Sequence, residues 1–393
     1  MTRRKRRKIT GLLKCCILLV LPFGVCAGAK GTAVMREKMS GESSIIAGKT
    51  PSAKGRAELS KESTYSKERS AEVEDILSSE MILSEGYGFN AETETADVVK
   101  LKSPLEMIAD NAGPKPYPTE GEWNEGGDIV RTTYGPYKGN SFFDLEGGGQ
   151  VNNKTSISND DLRRESACFA DFKLSNTSEP QVLIYHTHTT ESFEPYVREH
   201  YDASFNYRTT DETKNVVMVG DAIEAELESA GIGVIHVRTI HDYPSYNGAY
   251  GRSRESILPI LEQYPSIKVV LDIHRDAIAS ETSAYQPYIE IGGKEAAQIM
   301  IISGCDDGTL DMPNYMKNFH FACRLQEKVE SDNNGLTRPI LFDYRHYNQD
   351  LTTGSLLIEV GSHGNTLEQV QYSGQLFGKS LAGLLNSMKE EEQ

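Results

Sequence analysis

The chain of 393 residues has no Cys-x-x-Cys pair among its six cysteines, which excludes a zinc ribbon and a dense disulfide framework. Cys15, Cys16 and Cys26 lie in or beside an apolar segment; Cys168, Cys305 and Cys323 are far apart. Three cysteines beyond that segment allow at most one bridge, and small buried thiols are the simpler expectation. No His-Glu-x-x-His occurs, so the chain is not a zincin. No Gly-x-Ser-x-Gly occurs, which removes the nucleophile elbow of a Ser-His-Asp hydrolase. No phosphate-cradling Gly-x-x-x-x-Gly-Lys-[Ser/Thr] occurs either. The formal net charge is −16, which excludes nucleic acid as a partner by simple repulsion. Apolar residues make up only 38%, so part of the chain builds no core. Histidine is missing before position 186 and after 363: all nine fall between.

What is present begins with a basic run, Met-Thr-Arg-Arg-Lys-Arg-Arg-Lys, followed by the mostly apolar Ile9 to Ala29 and the small residues Ala27-Gly28-Ala29. Residues 1–29 thus read as a secretory signal or a single membrane anchor. The uninterrupted run Cys15 to Ala27 is about half to two-thirds of a membrane span, which favours a signal by length. Gly11, Leu12 and Leu13 extend it if Lys14 snorkels. Both readings place the rest of the chain outside the cytoplasm, at the cell membrane if anchored and secreted if cleaved. Residues 30–95, rich in Ser, Glu, Lys, Ala and Thr, read as a disordered stalk. Residues 96–178, with turn signals such as Gly147-Gly-Gly, read as a small β-rich or irregular lead-in without chemistry.

Residues 179–393 alternate. Strands are expected at Val182–Tyr185, Gly233–Arg238, Ile267–His274, 286–292, 298–302 and Leu356–Val360. Helices are expected at Asn215–Ala230, Arg252–Tyr264, Tyr315–Glu330 and Thr366–Met388. In the first of these, Val216, Val219, Ile223 and Leu227 share one face and Gly231 follows the end. Such alternation predicts an α/β domain of three layers, a twisted, mostly parallel sheet flanked by helices.

Three of these strands end in metal-ligand residue types. Val182-Leu-Ile-Tyr-His-Thr-His-Thr-Thr-Glu-Ser192 carries His186, His188 and Glu191. Ile267-Lys-Val-Val-Leu-Asp-Ile-His274 ends in His274, followed by Arg275 and Asp276; Leu356-Leu-Ile-Glu359-Val-Gly-Ser-His363 is broken by Glu359. One histidine after a strand is ordinarily a solvated loop residue. Parallel strands, however, bring their C-terminal ends to one edge of the sheet, so His188, His274 and Glu359 should converge. Two imidazoles and a carboxylate are the ligand set of a catalytic zinc, and a carboxylate in an apolar strand suits the general base. His200, His236, His241, His320 and His346 read as surface or core residues. Arg208, Lys214, Arg252 and Arg254 are candidate contacts to an anionic substrate.

Four segments then carry a resemblance. Tyr185-His-Thr-His-Thr-Thr-Glu-Ser-Phe193, Asn215-Val-Val-x-Val-Gly220, Asp272-Ile-His-Arg-Asp276 and Leu357-Ile-Glu-Val-Gly-Ser-x-Gly-Asn-Thr366 resemble, in order, those of the stage II sporulation protein P family. The resemblance implies a membrane-anchored peptidoglycan hydrolase of endospore-forming bacteria with the fold of zinc-dependent N-acetylmuramoyl-L-alanine amidases. It implies cleavage of the amide between muramic acid and L-alanine, with endopeptidase activity on crosslinks, alongside stage II sporulation proteins D and M during engulfment. It matches His188 and His274 to the zinc histidines and Glu359 to the catalytic glutamate. Related amidases take a third ligand from a Glu at the start of a later helix, where this chain has Asn215. Glu191 is then the expected third ligand, with His186 competing, and Arg275 is expected to support the site or hold a substrate carboxylate. Two rivals stand beside this reading: an inactive peptidoglycan-binding module and a zinc deacetylase.

Overall fold

The structure is a computed structural model and describes residues 107, 113–119 and 124–389. The chain divides into two units, 1–57 and 58–393, and every described residue belongs to the second. The signal or anchor segment and the stalk lie outside the described residues. No helix among the described residues is long and apolar enough to cross a membrane.

The elements run β1 (Glu125–Thr132), β2 (Phe142–Asp144), β3 (Gln150–Asn153), α1 (Asn159–Ser166), β4 (Pro180–Tyr185), β5 (His200–Asp202), α2 (Val216–Ser229), β6 (Gly233–His236), α3 (Ala249–Gln263), β7 (Val269–Asp276), β8 (Ser283–Ile291), β9 (Lys294–Ala297), β10 (Ile299–Cys305), α4 (Tyr315–Asp332), β11 (Ile340–Tyr344), β12 (Gly354–Ser362) and α5 (Leu367–Ser387). Eight strands form one sheet in the order β2-β3-β11-β10-β12-β7-β4-β6. Five of its neighbour contacts are parallel and two antiparallel. The expected α/β architecture with a mostly parallel sheet is therefore present, but β10 runs against β12, so β10, β11 and β3 run opposite to the other five strands.

Strand alternation assigns the two faces. On β4, Val182 and Ile184 join Val216, Val219, Ile223 and Leu227 of α2 in the main core, which also takes in α4 and α5. Leu183 and Tyr185 turn the other way and pack with Ile257 of α3. Helices thus flank the sheet on both sides. The β7 strand is buried along all eight residues, as a central strand covered on both faces should be. Asn215 caps α2 by accepting from Val217 N at 3.0 Å, and Thr366 opens α5 with a capping box closed by Gln369.

Residues of the lead-in contribute to the same sheet and core as those after residue 178. β3 pairs in parallel with β11, and Phe143, Leu145, Val151 and Leu162 are part of the main core. A second, unexpected sheet has the order β5-β1-β8-β9, with its own cluster of Ile129, Tyr201, Phe205, Tyr207 and Ala284. Cys305 and Cys323 are buried free thiols as expected, whereas Cys168 is exposed.

Candidate active site

The cavity that collects the sequence candidates lies on the α3 side of the sheet. Asp272, His274 and Asp276 alternate along β7 and share a face. Glu359 of β12 stands beside His274 in the parallel register and opposite Met300 in the antiparallel one. The loop after β4 brings in His188 and Glu191. All of these except Asp272 line a cavity of about 120 Å³, with Tyr246 from the loop ahead of α3, Tyr250 from its first turn and the apolar Met300, Ile302, Leu341 and Leu357.

Asp272 fixes the arrangement from beneath. Its carboxylate accepts from Thr187 N at 2.8 Å and Thr187 Oγ1 at 2.7 Å, which pins the loop to β7. The same carboxylate lies 2.8 Å from His274 Nε2. Nε2 nonetheless makes no hydrogen bond of good geometry, and Nδ1 lies 3.5 Å from Glu191 Oε2. Burial works against charge on His274, but Asp272 and then Glu191 outweigh it and hold the imidazole well above its ordinary range. Burial likewise resists charge on Glu191, yet His274 and Arg275 hold its carboxyl well below the usual range. His188 differs: burial dominates, its pKa is pushed well down, and its Nδ1 is buried without a partner. The ring stacks on Tyr246 at 4.3 Å and stands nearly perpendicular to His274 at 5.3 Å between centroids.

Glu359 keeps some surface toward the cavity, while its Oε2 is shut off without a partner. Burial first, then the charge of Asp276, push its carboxyl up to about 8. Glu191 Oε2 and His274 Nδ1 stand 3.5 Å apart on the cavity that His188 also lines, but the ligand atoms of these three do not all lie within 4.8 Å of one another, as those of Glu165, Cys168 and His320 and of Asp221, Glu224 and His236 do. Two ligands about 2.0–2.1 Å from one tetrahedral ion stand roughly 3.3 Å apart, close to the observed spacing of His274 and Glu191. His188 Nδ1 and Glu359 Oε2 are buried on this cavity without hydrogen-bond partners.

His186 is not brought to this cavity. Its Nδ1 faces Ile273 O at 2.9 Å and its Nε2 faces His236 Nε2 at 2.8 Å, so both nitrogens are spent in the core. Asn215 is spent as well, on Val217 N and on Thr209 O at 3.1 Å. Arg275 donates from Nε to Ser192 O at 2.7 Å, from Nη2 to Tyr207 O at 3.1 Å, and from its backbone N to Glu191 at 3.1 Å. It ties the loop to β7 and positions Glu191. His363 lies away from the cavity, against Tyr207.

Of the four cations considered for an anionic substrate, Arg208 alone lines the cavity, and it is paired with Asp242 at 3.0 Å. Lys214 pairs with Asp211 and Arg254 with Asp350, while Arg252 donates to main-chain carbonyls near the start of α3. Sequence reasoning missed the loop-pinning role of Asp272 and the wall formed by Tyr246 and Tyr250. The period-two spacing of Asp272, His274 and Asp276 was the signal for the first; nothing marked the second.

Fold and cavity together define an α/β protein with two histidines and two glutamates gathered on one face of its sheet. The chain belongs to the stage II sporulation protein P family, whose model matches residues 54–382. It is 30% identical over 203 residues to the stage II sporulation protein P of Bacillus subtilis (strain 168), across 48% of this chain and 47% of that one. The match spans about half the length of that curated relative. Among solved structures it is similar to the N-acetylmuramoyl-L-alanine amidase AmiC2 of Nostoc punctiforme, with 11% identity, 53% of this chain, 96% of that chain and a TM-score of 0.32. It is also similar to the CwlD amidase of Clostridioides difficile, solved with the GerS lipoprotein, with 13% identity, 53% and 99% coverage and a TM-score of 0.31. Likenesses this loose assign no residue here.

Proposed function

We propose that this protein is a zinc-dependent peptidoglycan hydrolase of sporulation that cuts the amide between N-acetylmuramic acid and L-alanine. The observation that carries the proposal is the Glu359 carboxylate, left without a partner at Oε2, on the same cavity as His188, Glu191 and His274. Family membership supports the cell-wall setting. His188, Glu191 and His274 would hold the metal. When bound there, zinc would supply Lewis-acid polarisation of the amide carbonyl and a lowered pKa for the attacking water.

The remaining work falls to the chain. Water adds to the carbonyl carbon as the C–N bond breaks, giving a lactyl carboxylate and a free amine on the peptide. Glu359 takes the proton from the water and returns it to the departing nitrogen. Burial and the charge of Asp276 raise its proton affinity above that of an ordinary carboxylate, and a cation held beside it would lower that affinity again. Asp272 lies against His274, and Tyr246 and Tyr250 line the cavity beside it. Anchorage through residues 1–29, with the described residues outside the membrane, belongs to the same proposal, as do stage II sporulation proteins D and M as partners.

The test uses Glu359→Gln in the full chain, with zinc content and product release from purified peptidoglycan as readouts. The variant should retain zinc and lose turnover by about 10²–10⁴. Wild-type products should be stem peptides with a new free amine and glycan freed of peptide. Undiminished activity of the variant would remove Glu359 from the mechanism, and acetate release in place of peptides would make the protein a deacetylase.

A further inference from the structure

A second cavity of about 60 Å³ adjoins the first: Asp276, Met300 and Leu341 line both, so the two share a wall. Its other side is aromatic, with Tyr134, Tyr137 and Phe142; Tyr137 stacks on Phe142 at 5.0 Å. Into this lining comes Arg338, from the short segment just before β11, only 7% exposed. One arm is accounted for: Nη1 donates to Asp276 Oδ2 at 2.8 Å. Nε and Nη2 are buried and have no partner.

Those two nitrogens form one edge of the guanidinium, and that edge is the fork that meets the two oxygens of a carboxylate. A buried charged donor left unpaired is costly, so the folded chain holds this edge at a disadvantage that an incoming anion removes. The Tyr134 hydroxyl and Asn152 Oδ1 are buried without partners in the same lining. The cavity thus offers a planar cationic fork, an acceptor suited to an amide N–H, and aromatic walls for the carbon chain between them. This is a complement to an acidic peptide residue. Asp276 holds Arg338 in place and lines the catalytic cavity too, which puts the fork next to the reacting amide.

We propose that this second cavity is a specificity subsite, resting on the hydrolase reading above, in which the Nε–Nη2 edge of Arg338 binds a free carboxylate of the peptide attached to the scissile amide. The test compares a soluble muramoyl peptide with analogues in which each free carboxylate in turn is a carboxamide, using the full chain. One replacement should raise KM about tenfold or more, with kcat changing less. Arg338→Gln and Arg338→Lys should both bring that KM ratio to near one, because lysine keeps the charge but not the fork. Equal KM across all analogues with the wild-type chain overturns the subsite, even if neither variant folds. A ratio that survives both variants overturns it as well. Calorimetric binding of the same peptides to Glu359→Gln reads the subsite without turnover. If no muramoyl peptide is cleaved by the wild-type chain, the hydrolase reading fails. The binding preference then still decides: a tenfold preference for one carboxylate supports the subsite, and none overturns it.

Discussion

Glu191 and His186 are five residues apart in one loop and end in opposite surroundings. Glu191 faces the cavity beside His274, whereas His186 hydrogen-bonds backward into the core with His236. Metal analysis of purified variants separates them. Glu191→Gln should weaken zinc binding by at least roughly tenfold. His186→Gln should keep its zinc and instead lose about 1–3 kcal/mol of stability, because the buried His236 Nε2 is left without its partner. Zinc lost from the His186 variant and kept by the Glu191 variant would reverse the assignment. This is also where sequence reasoning ran out. His274 and Glu359 are legible because a strand's period fixes which face each residue takes. Loop residues have no period, so which of His186, His188 and Glu191 turns inward depends on contacts 50 to 85 residues distant, above all with Asp272 and His236. Arg338 has no signature of any kind: a lone arginine just before a strand becomes informative only when its partners can be counted.

At the scale of elements, α2 shows how one residue sets helix packing. A Cβ on Gly220 would lie 2.5 Å from His236 Nε2 and 3.0 Å from His186 Cε1. Alanine in mid-helix ordinarily gains up to about 1 kcal/mol over glycine. Overpacking a buried contact costs about 1–3 kcal/mol, so the clash should win. Gly220→Ala should shift the denaturant midpoint downward without changing the slope; an unchanged or raised midpoint would show that the histidine pair yields. The long apolar strands β4, β7 and β12 and the helices α2, α4 and α5 were legible from periodicity. The second sheet was not. β1 contains Gly126, Gly127 and Asp128, and β5 and β9 are three and four residues long. Such segments become strands through their neighbours, with β1 held between β5 and β8. α3 begins three residues earlier than expected, because Gly248 takes φ 81° ahead of it, a conformation glycine adopts without strain.

The two sheets are joined around Glu194, and here the whole molecule should respond to pH. Its backbone N–H donates to Asn365 O at 2.8 Å, and its carboxyl accepts from Tyr207 at 2.9 Å and pairs with Arg198. Burial outweighs Arg198 and Tyr207 and pushes this carboxyl up from 4.5 to about 7. The folded state therefore holds a proton that the unfolded chain releases. The resulting stability is complete below about pH 4.5 and is lost as pH rises through about 7, amounting to about 3 kcal/mol. Wild-type stability should fall as pH rises from about 4.5 through about 7, and Glu194→Gln should lack this fall. Parallel curves for the two proteins would clear Glu194 of the effect.

The reversal of the sheet between β12 and β10 has a consequence for how this protein can change over generations. The candidate ligands and base of the cavity come from β7, β12 and the loop after β4, and both of these strands and β4 run one way. Met300, Ile302 and Leu341, with Arg338 just ahead of β11, come from the part that runs the other way. On the two proposals above, the groups assigned to the reaction and those assigned to substrate fit are written on oppositely running parts of one sheet. Inheritance can then vary the second set and retarget the fit, while the first set passes on unaltered.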